Sequence, residues 1–183
     1  MDRLRPPLEP RVGMVWALDV AELEDETSHE AVELTGAGPI TVRSLTLVES
    51  ELRGSLAGSQ LPDLHLRDTA IRGADLANLR APKAALRRVA VEHARLTGAV
   101  FADCDLRETS LAEAVLRDVR FENCDLGGVE LDRVRLQRVE LRGCRLDGIR
   151  SVENLRGAAM PWEDIVGNAG LFAAAAGIRA TEA

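Results

Sequence analysis

Phe101-Ala-Asp-Cys104-Asp-Leu106, Phe121-Glu-Asn-Cys124-Asp-Leu126 and Leu141-Arg-Gly-Cys144-Arg-Leu146 follow one another at an interval of twenty residues and hold the three cysteines of the chain. A shorter period runs inside that interval. From Leu61 to Leu146, eighteen consecutive positions spaced by five carry apolar residues, among them Ile71, Leu76, Leu86, Leu96, Phe101, Leu106, Leu116, Phe121, Leu126, Leu136 and Leu141; only Ala81 is small. Two residues before each lies a second, mostly smaller set that includes Ala84, Cys104, Ala114, Cys124, Val134 and Cys144. Side chains two apart on extended backbone point the same way, so both sets face one interior. A period of five fits neither a helix nor a long alternating strand. Each pentapeptide is therefore a short extended segment plus a turn, and four of them close one coil of a solenoid. Stacking at about 4.8 Å predicts roughly five to six coils and a rod on the order of 27 Å long.

The remaining pentapeptide positions are charged, polar or small, as outward faces and corners require. Within the sequence, Gly73-Ala-Asp-Leu76-Ala and Gly98-Ala-Val-Phe101-Ala resemble the A-[D/N]-L-x-x consensus of the pentapeptide-repeat family. The resemblance spans roughly residues 31–150 and implies a right-handed quadrilateral β-helix, an all-β solenoid, with the central residue of each repeat inside. Val, Thr and Cys often replace the consensus Ala here, and Leu79 is bulkier than that place usually holds.

The ends depart from the repeat. Residues 1–30 are expected to form an N-terminal arm and cap, 31–160 the β-helix, and 161–183 a C-terminal helix and tail. Residues 1–11 are rich in Pro and charge and read as a mobile arm. Residues 18–27 read as a short helix or loop, and Trp16 as a plug over one end of the core. Spacing falls from five to four between Leu52 and Leu56, which places an irregular corner at Gly54–Gly58. Residues 151–160 read as a final irregular coil. Pro161 suits the first position of a helix, Glu163 and Asp164 suit its positive end, and Gly177 suits its stop, so a capping α-helix is predicted from Pro161 to about Ala176. Trp162, Ile165, Val166, Ala169, Phe172 and Ala173 form one stripe, expected to cap the last coil. Leu171, Ala175 and Ile178 form a second, expected to meet a partner, most economically another copy.

Composition narrows function more than it names it. The chain has 183 residues, a net charge of −7, a pI near 5.1 and only 3% aromatic residues. That balance argues against direct nucleic-acid binding, which uses basic patches and stacking platforms. Three cysteines without framework spacing suit a reducing, cytoplasmic setting. No apolar run has the length of a secretory or membrane-spanning segment. The acidity sits at the ends: residues 1–70 carry −7, 71–150 carry +2 and 151–183 carry −2.

Cys104, Cys124 and Cys144 stacked in one column could ligate a soft metal or pair, but inward thiols among Ala and Val behave as small hydrophobes. His29, His65 and His93 stand in different contexts, and no metal, cofactor or nucleophile motif is present. No enzyme activity, cofactor or metal is expected. The leading reading is a rigid, non-catalytic protein-interaction module with an unidentified protein partner. The alternative comes from the resemblance. One branch of that family, bacterial and linked to antibiotic resistance, protects DNA gyrase and related topoisomerases by imitating the width and charge of duplex DNA. Such mimicry needs an acidic face. Grouping outward residues of 71–150 by twenty gives one face with Glu92, Glu113, Glu130 and Asp132 against Arg72 and Arg133, and a next with Arg95, Arg117, Arg135 and Arg138 against Asp75 and Asp118. A third is nearly balanced and a fourth neutral, so the repeats supply no phosphate-like stripe; these charged residues are the candidates for facing a partner.

Overall fold

A five-residue period can close into a coil only if the backbone turns a corner inside every repeat, and the computed structural model shows how. It describes residues 16–183 except Asp68, Gly73, Asp75, Ala77, Asn78, Arg80, Pro82, Ala180, Glu182 and Ala183. The proline-rich arm at residues 1–11 lies outside that range, as does the Trp16 side chain. Two places after each central apolar residue the chain enters the left-handed region: φ is 53° at Arg88, 55° at Asp103, 58° at Glu108, 55° at Asp118 and 53° at Arg138, with Gly98, Gly128, Gly143 and Gly148 at equivalent corners. Three extended residues and one left-handed residue per repeat turn the chain by a side of a square.

The corners stack because each coil hydrogen-bonds to the next. Strands 95–97, 115–117 and 135–137 form one parallel sheet, and 100–102, 120–122 and 140–142 another, with Phe101 opposite Phe121 and Phe121 opposite Leu141. The other two sides carry sheets in the N-terminal half: 28–30, 46–48, 65–67 and 85–87 on one, and 16–19, 32–35, 51–52, 70–72 and 90–92 on the other. Farther along, those two sides continue as single bridges, Ala85–Asp105–Asp125–Arg145 and Ala90–Ser110–Glu130–Arg150. There the chain turns through short bonds such as Thr109 N–H to the Leu106 carbonyl, 3.2 Å.

Among the described residues the ladder starts at Trp16, earlier than the expected boundary at residue 31, because strand 16–19 already pairs with 32–35. Leu18 and Asp19 end that strand, which the short-helix-or-loop reading of 18–27 does not expect; a 3-10 helix at Val20–Glu22 and a loop to Thr27 follow, as it does expect. The first coils are short. Trp16 pairs with Val32, Ser28 with Thr46, Glu51 with Ala70, and only from His65–Ala85 onward is the offset twenty. The irregular corner has a steric cause: a Cβ on Gly54 would lie 2.3 Å from the Gly36 carbonyl oxygen.

Inside, Ile71, Leu76, Leu86, Leu96, Phe101, Leu106, Leu116, Phe121, Leu126, Leu141 and Leu146 are buried, and Leu136 is partly so. The Phe101 and Phe121 rings stack with centroids 5.3 Å apart. Leu23 is buried at the N-terminal end of this core. At the other end a 3-10 turn, Val152–Leu155, leads to two short helices, α1 (Trp162–Gly167) and α2 (Ala169–Ala175). They replace the single predicted helix. Asn168 divides them, its backbone at φ −106° and ψ 14° and its side-chain amide donating to the Asp164 carbonyl at 2.8 Å. Pro161 is the N-cap residue, and Gly177, at φ 75°, ends α2: its N–H donates to Ala174 and that of Ile178 to Ala173.

The left-handed corners make a clean test. Glu108 pays the side-chain penalty of that region, whereas Gly148 does not and has room around it. Replacing Glu108 with Gly should stabilise the fold and Gly148 with Val destabilise it, each by about 1–2 kcal/mol. Thermal melts, with Glu108→Ala as the charge control, should show opposite shifts for the two.

Candidate functional site

The cysteine column is fully engaged in the fold. Cys104, Cys124 and Cys144 are buried free thiols. Each Sγ donates to the carbonyl of a central residue in the preceding coil: Cys104 to Ala81 at 3.2 Å, Cys124 to Phe101 at 3.5 Å and Cys144 to Phe121 at 3.5 Å. Thr109 does the same to Leu86 at 2.7 Å. The Cys124 thiol holds Cys104 below the ordinary thiol value against the effect of burial. Its contact with Cys104, reinforced by burial, pushes Cys124 up to about 12, and Cys144 is raised by Cys124 and by burial in the same way. At neutral pH Cys124 and Cys144 are therefore protonated donors, poor as nucleophiles or ligands. Among the described residues no group of His, Cys, Asp and Glu is placed to hold a metal ion. His93 pairs with Glu113 at 3.1 Å, while His29 stands opposite Leu47 with its Nε2 buried and unpartnered.

The core axis is filled by Leu, Val and Phe, leaving voids of about 40 and 20 Å³, while an open hollow of about 350 Å³ lies on the outside among Val100, Asp118, Arg120, Arg138 and Glu140. Ligand sites are usually clefts of roughly 300–1,000 Å³. The chemistry of this chain is therefore displayed on its flat outer faces. Along these, charges pair across coils at the ladder's own interval: Arg120 with Glu140 at 3.0 Å, Arg133 with Glu113 at 3.1 Å, Arg150 with Glu130 at 3.2 Å and Arg145 with Asp125 at 3.5 Å. Arg138 grips Asp118 with both nitrogens of its fork and holds that carboxyl below its usual range. Glu140 is likewise lowered, first by Arg142 and then by Arg120. These pairs are exposed, and exposed pairs contribute little stability; what they set is the pattern of charge left over.

Of the charges expected to face a partner, Glu113, Glu130, Asp132 and Arg138 are thus engaged within the protein. The Glu92 side chain lies outside the described residues. Arg95, Arg117 and Arg135 are exposed and make no ion pair among the described residues. All three belong to the sheet 95–97, 115–117, 135–137, where Val115 sits between Arg95 and Arg135 in register. Periodicity alone assigns these arginines to one face; it does not tell which of them an acid has already claimed.

The C-terminal cap differs from the expected two stripes. Leu171 and Phe172 pack against the core together with Leu155 and Met160, so Leu171 leaves the stripe assigned to a partner. Trp162 and Val166, assigned to the capping stripe, are 73% and 55% exposed, and Ile178 is 63% exposed. The two helices are divided at Asn168 and do not form the single continuous helix on which those stripes are counted. The Asp164 carboxylate accepts the Gly143 N–H at 2.7 Å, the place that the next coil's carbonyl would take.

Parallel coils with one left-handed residue per five define a quadrilateral β-solenoid. Residues 82–150 match the family model for the pentapeptide repeat region. Solved structures similar to it include trypsin-treated QnrB1, a plasmid-mediated fluoroquinolone resistance protein, with 17% identity, 92% of this chain and 100% of that one covered and a TM-score of 0.32. Rfr23 from the cyanobacterium Cyanothece 51142 shows 23% identity, 58% and 64% coverage and a TM-score of 0.29. HetL, involved in heterocyst differentiation regulation in Nostoc sp. strain PCC 7120, shows 17% identity, 75% and 91% coverage and a TM-score of 0.26. A comparison with curated proteins finds no match. Among the described residues no helix is long and apolar enough to cross a membrane.

The thiols supply a check on this geometry. In the folded protein a disulfide reagent should label all three cysteines slowly at neutral pH, and denaturant should release them together. Fast labelling of any one in the folded state would place it outside the core.

Proposed function

We propose that this chain is a non-catalytic interaction module of the cytoplasm, a rigid rod that presents flat faces of different charge to a protein partner. The observation that supports it is the filled core: among the described residues of the coils, the exposed charges are displayed on a hydrogen-bonded lattice whose spacing is fixed. Photo-crosslinking residues placed singly at Arg107, Arg117, Arg120 and Glu130, one on each side, test the reading in cells. Protein adducts should come predominantly from one side. Equal yields from all four, or none from any, would overturn it.

Two finer readings accompany it. The first is a homodimer through the C-terminal cap, in which Trp162, Val166 and Ile178 cover one another; these replace Leu171 as the contact, with Ala175 at their side. Mass measured in solution should fall from two chains to one in Trp162→Asp and Ile178→Asp, whereas an unchanged mass would remove the dimer. The second is protection of DNA gyrase. It draws on the first coil, where Asp19, Glu22, Glu24, Asp25, Glu26 and Glu30 are all exposed and no arginine or lysine lies between them in the sequence. A supercoiling assay with gyrase, with and without a quinolone, decides it: no effect at micromolar protein ends that reading.

A further inference from the structure

The side formed by strands 95–97, 115–117 and 135–137 is unlike the others in what its charges lack. Elsewhere an arginine meets a carboxylate one coil away, as Arg120 meets Glu140 and Arg150 meets Glu130. Here Arg95 stands opposite Val115, and Val115 opposite Arg135. Arg117 stands between Thr97 and Gln137. The acid of this side within residues 95–138, Asp118, is already held by Arg138. Arg156, also exposed, follows the 3-10 turn that packs beside strand 135–137.

We propose that this stripe docks an extended, carboxylate-rich segment of a partner protein. Resting on the interaction-module reading, it names the side and the chemistry. Arg95 and Arg135 are two strand spacings apart, about 9.6 Å, and Arg117 lies between them but displaced along the strand, giving a zigzag of three guanidinium forks. In an extended peptide, carboxylates on alternate residues recur about every 6.8 Å on one edge, a spacing that such a zigzag can follow. The guanidinium fork matches carboxylate geometry, and among the described residues these forks hold no ion pair that must be given up first, Arg117 acting on Asp118 only from a distance. Val115, 36% exposed at the centre, offers apolar contact to an aliphatic or threonine side chain of the segment. A duplex is the poorer fit. The stripe is only about 10 Å wide, one three-residue strand, and the adjoining side carries Glu113, Glu130 and Asp132, which would face the overhanging phosphates.

The test uses the full-length purified protein and a fluorescein-labelled peptide of alternating Glu and Thr, read by anisotropy at about 20 mM salt, where screening is weak. The Glu peptide should bind and a Lys-for-Glu peptide should not. Affinity should fall at least about tenfold in Arg95→Glu/Arg135→Glu and in Arg117→Glu, and stay within about twofold in Arg43→Glu, an exposed arginine on another side. Thermal melts identify variants that have lost the fold, and Arg95→Gln/Arg135→Gln, which adds no charge, should show a smaller loss of the same sign. No binding by the parent, or an equal loss in Arg43→Glu, overturns the proposal. So does displacement of the peptide by a short DNA duplex at lower concentration, which would make the stripe a polyanion site. A parent mass that doubles with concentration and reverts in Arg95→Glu/Arg135→Glu would assign the stripe to a second copy and overturn it too. Absence of peptide binding alongside crosslinks from another side leaves the module reading standing; absence of crosslinks from every side removes both.

Discussion

The backbone hydrogen bond between one coil and the next is the constraint on which everything else in this molecule rests. Ser110 donates to Val89, Glu130 to Thr109 and Arg150 to Val129, each at 2.8 to 3.0 Å, and the same offset recurs on every side of the regular coils. Because rungs must align, corners must align, and because corners must align the left-handed residue has to recur every fifth place even where it is Arg, Glu or Asp. The penalty at such a corner is of order 1–2 kcal/mol for a residue other than Gly. It is tolerated because the corner N–H finds a carbonyl in the next coil, as Asp118 does with Gln137 and Glu108 with Gly127. Stability of this kind is approximately a sum over neighbouring coils, so ends are the weak points.

The two ends are closed by different means. At the N-terminus the coils themselves shrink, from an offset of twenty to eighteen and then sixteen, and Leu23 folds over what remains. At the C-terminus side chains take over the roles of missing backbone. The Asn154 amide reaches the Leu131 carbonyl at 2.9 Å, and the Asp164 carboxylate takes the Gly143 N–H. An exposed end of parallel rungs is a template for joining another chain, and these two side chains occupy acceptor and donor groups that such a chain would use.

Legibility in the sequence followed the physics of repetition. Leu106, Phe121 and the cysteines could be placed because their positions recur, and a recurring interior contact leaves a period behind it. The short corner at Gly54 was visible for the same reason, as a lost residue in the count. The first coil was not: with offsets of sixteen and eighteen, Leu18, Leu34 and Val42 keep no common interval, although they lie on one ladder or in one core. The C-terminal break was hidden as well. Gly167 and Gly170 signalled a weak helix, but the turn at Asn168 comes from its side chain bonding the Asp164 carbonyl, a local competition that amphipathic counting does not register. The arginine face lay between these extremes. Its membership was readable, whereas the lack of an ion pair at Arg95, Arg117 and Arg135 among the described residues depends on which side chains are one coil away.

The offset of twenty also governs how such a chain can change in length. Adding or removing one whole coil leaves every downstream side chain on the side it already occupied, so the ion-pair ladders and the arginine stripe would survive intact. Adding a single pentapeptide keeps the core equally satisfied but rotates all that follows by a quarter turn. The stripe would then point at right angles to the acidic first coil without any change in the residues that form either. Surface geometry in this protein is thus set by an integer, the number of pentapeptides between two features, and gene rearrangement can dial it while packing stays the same.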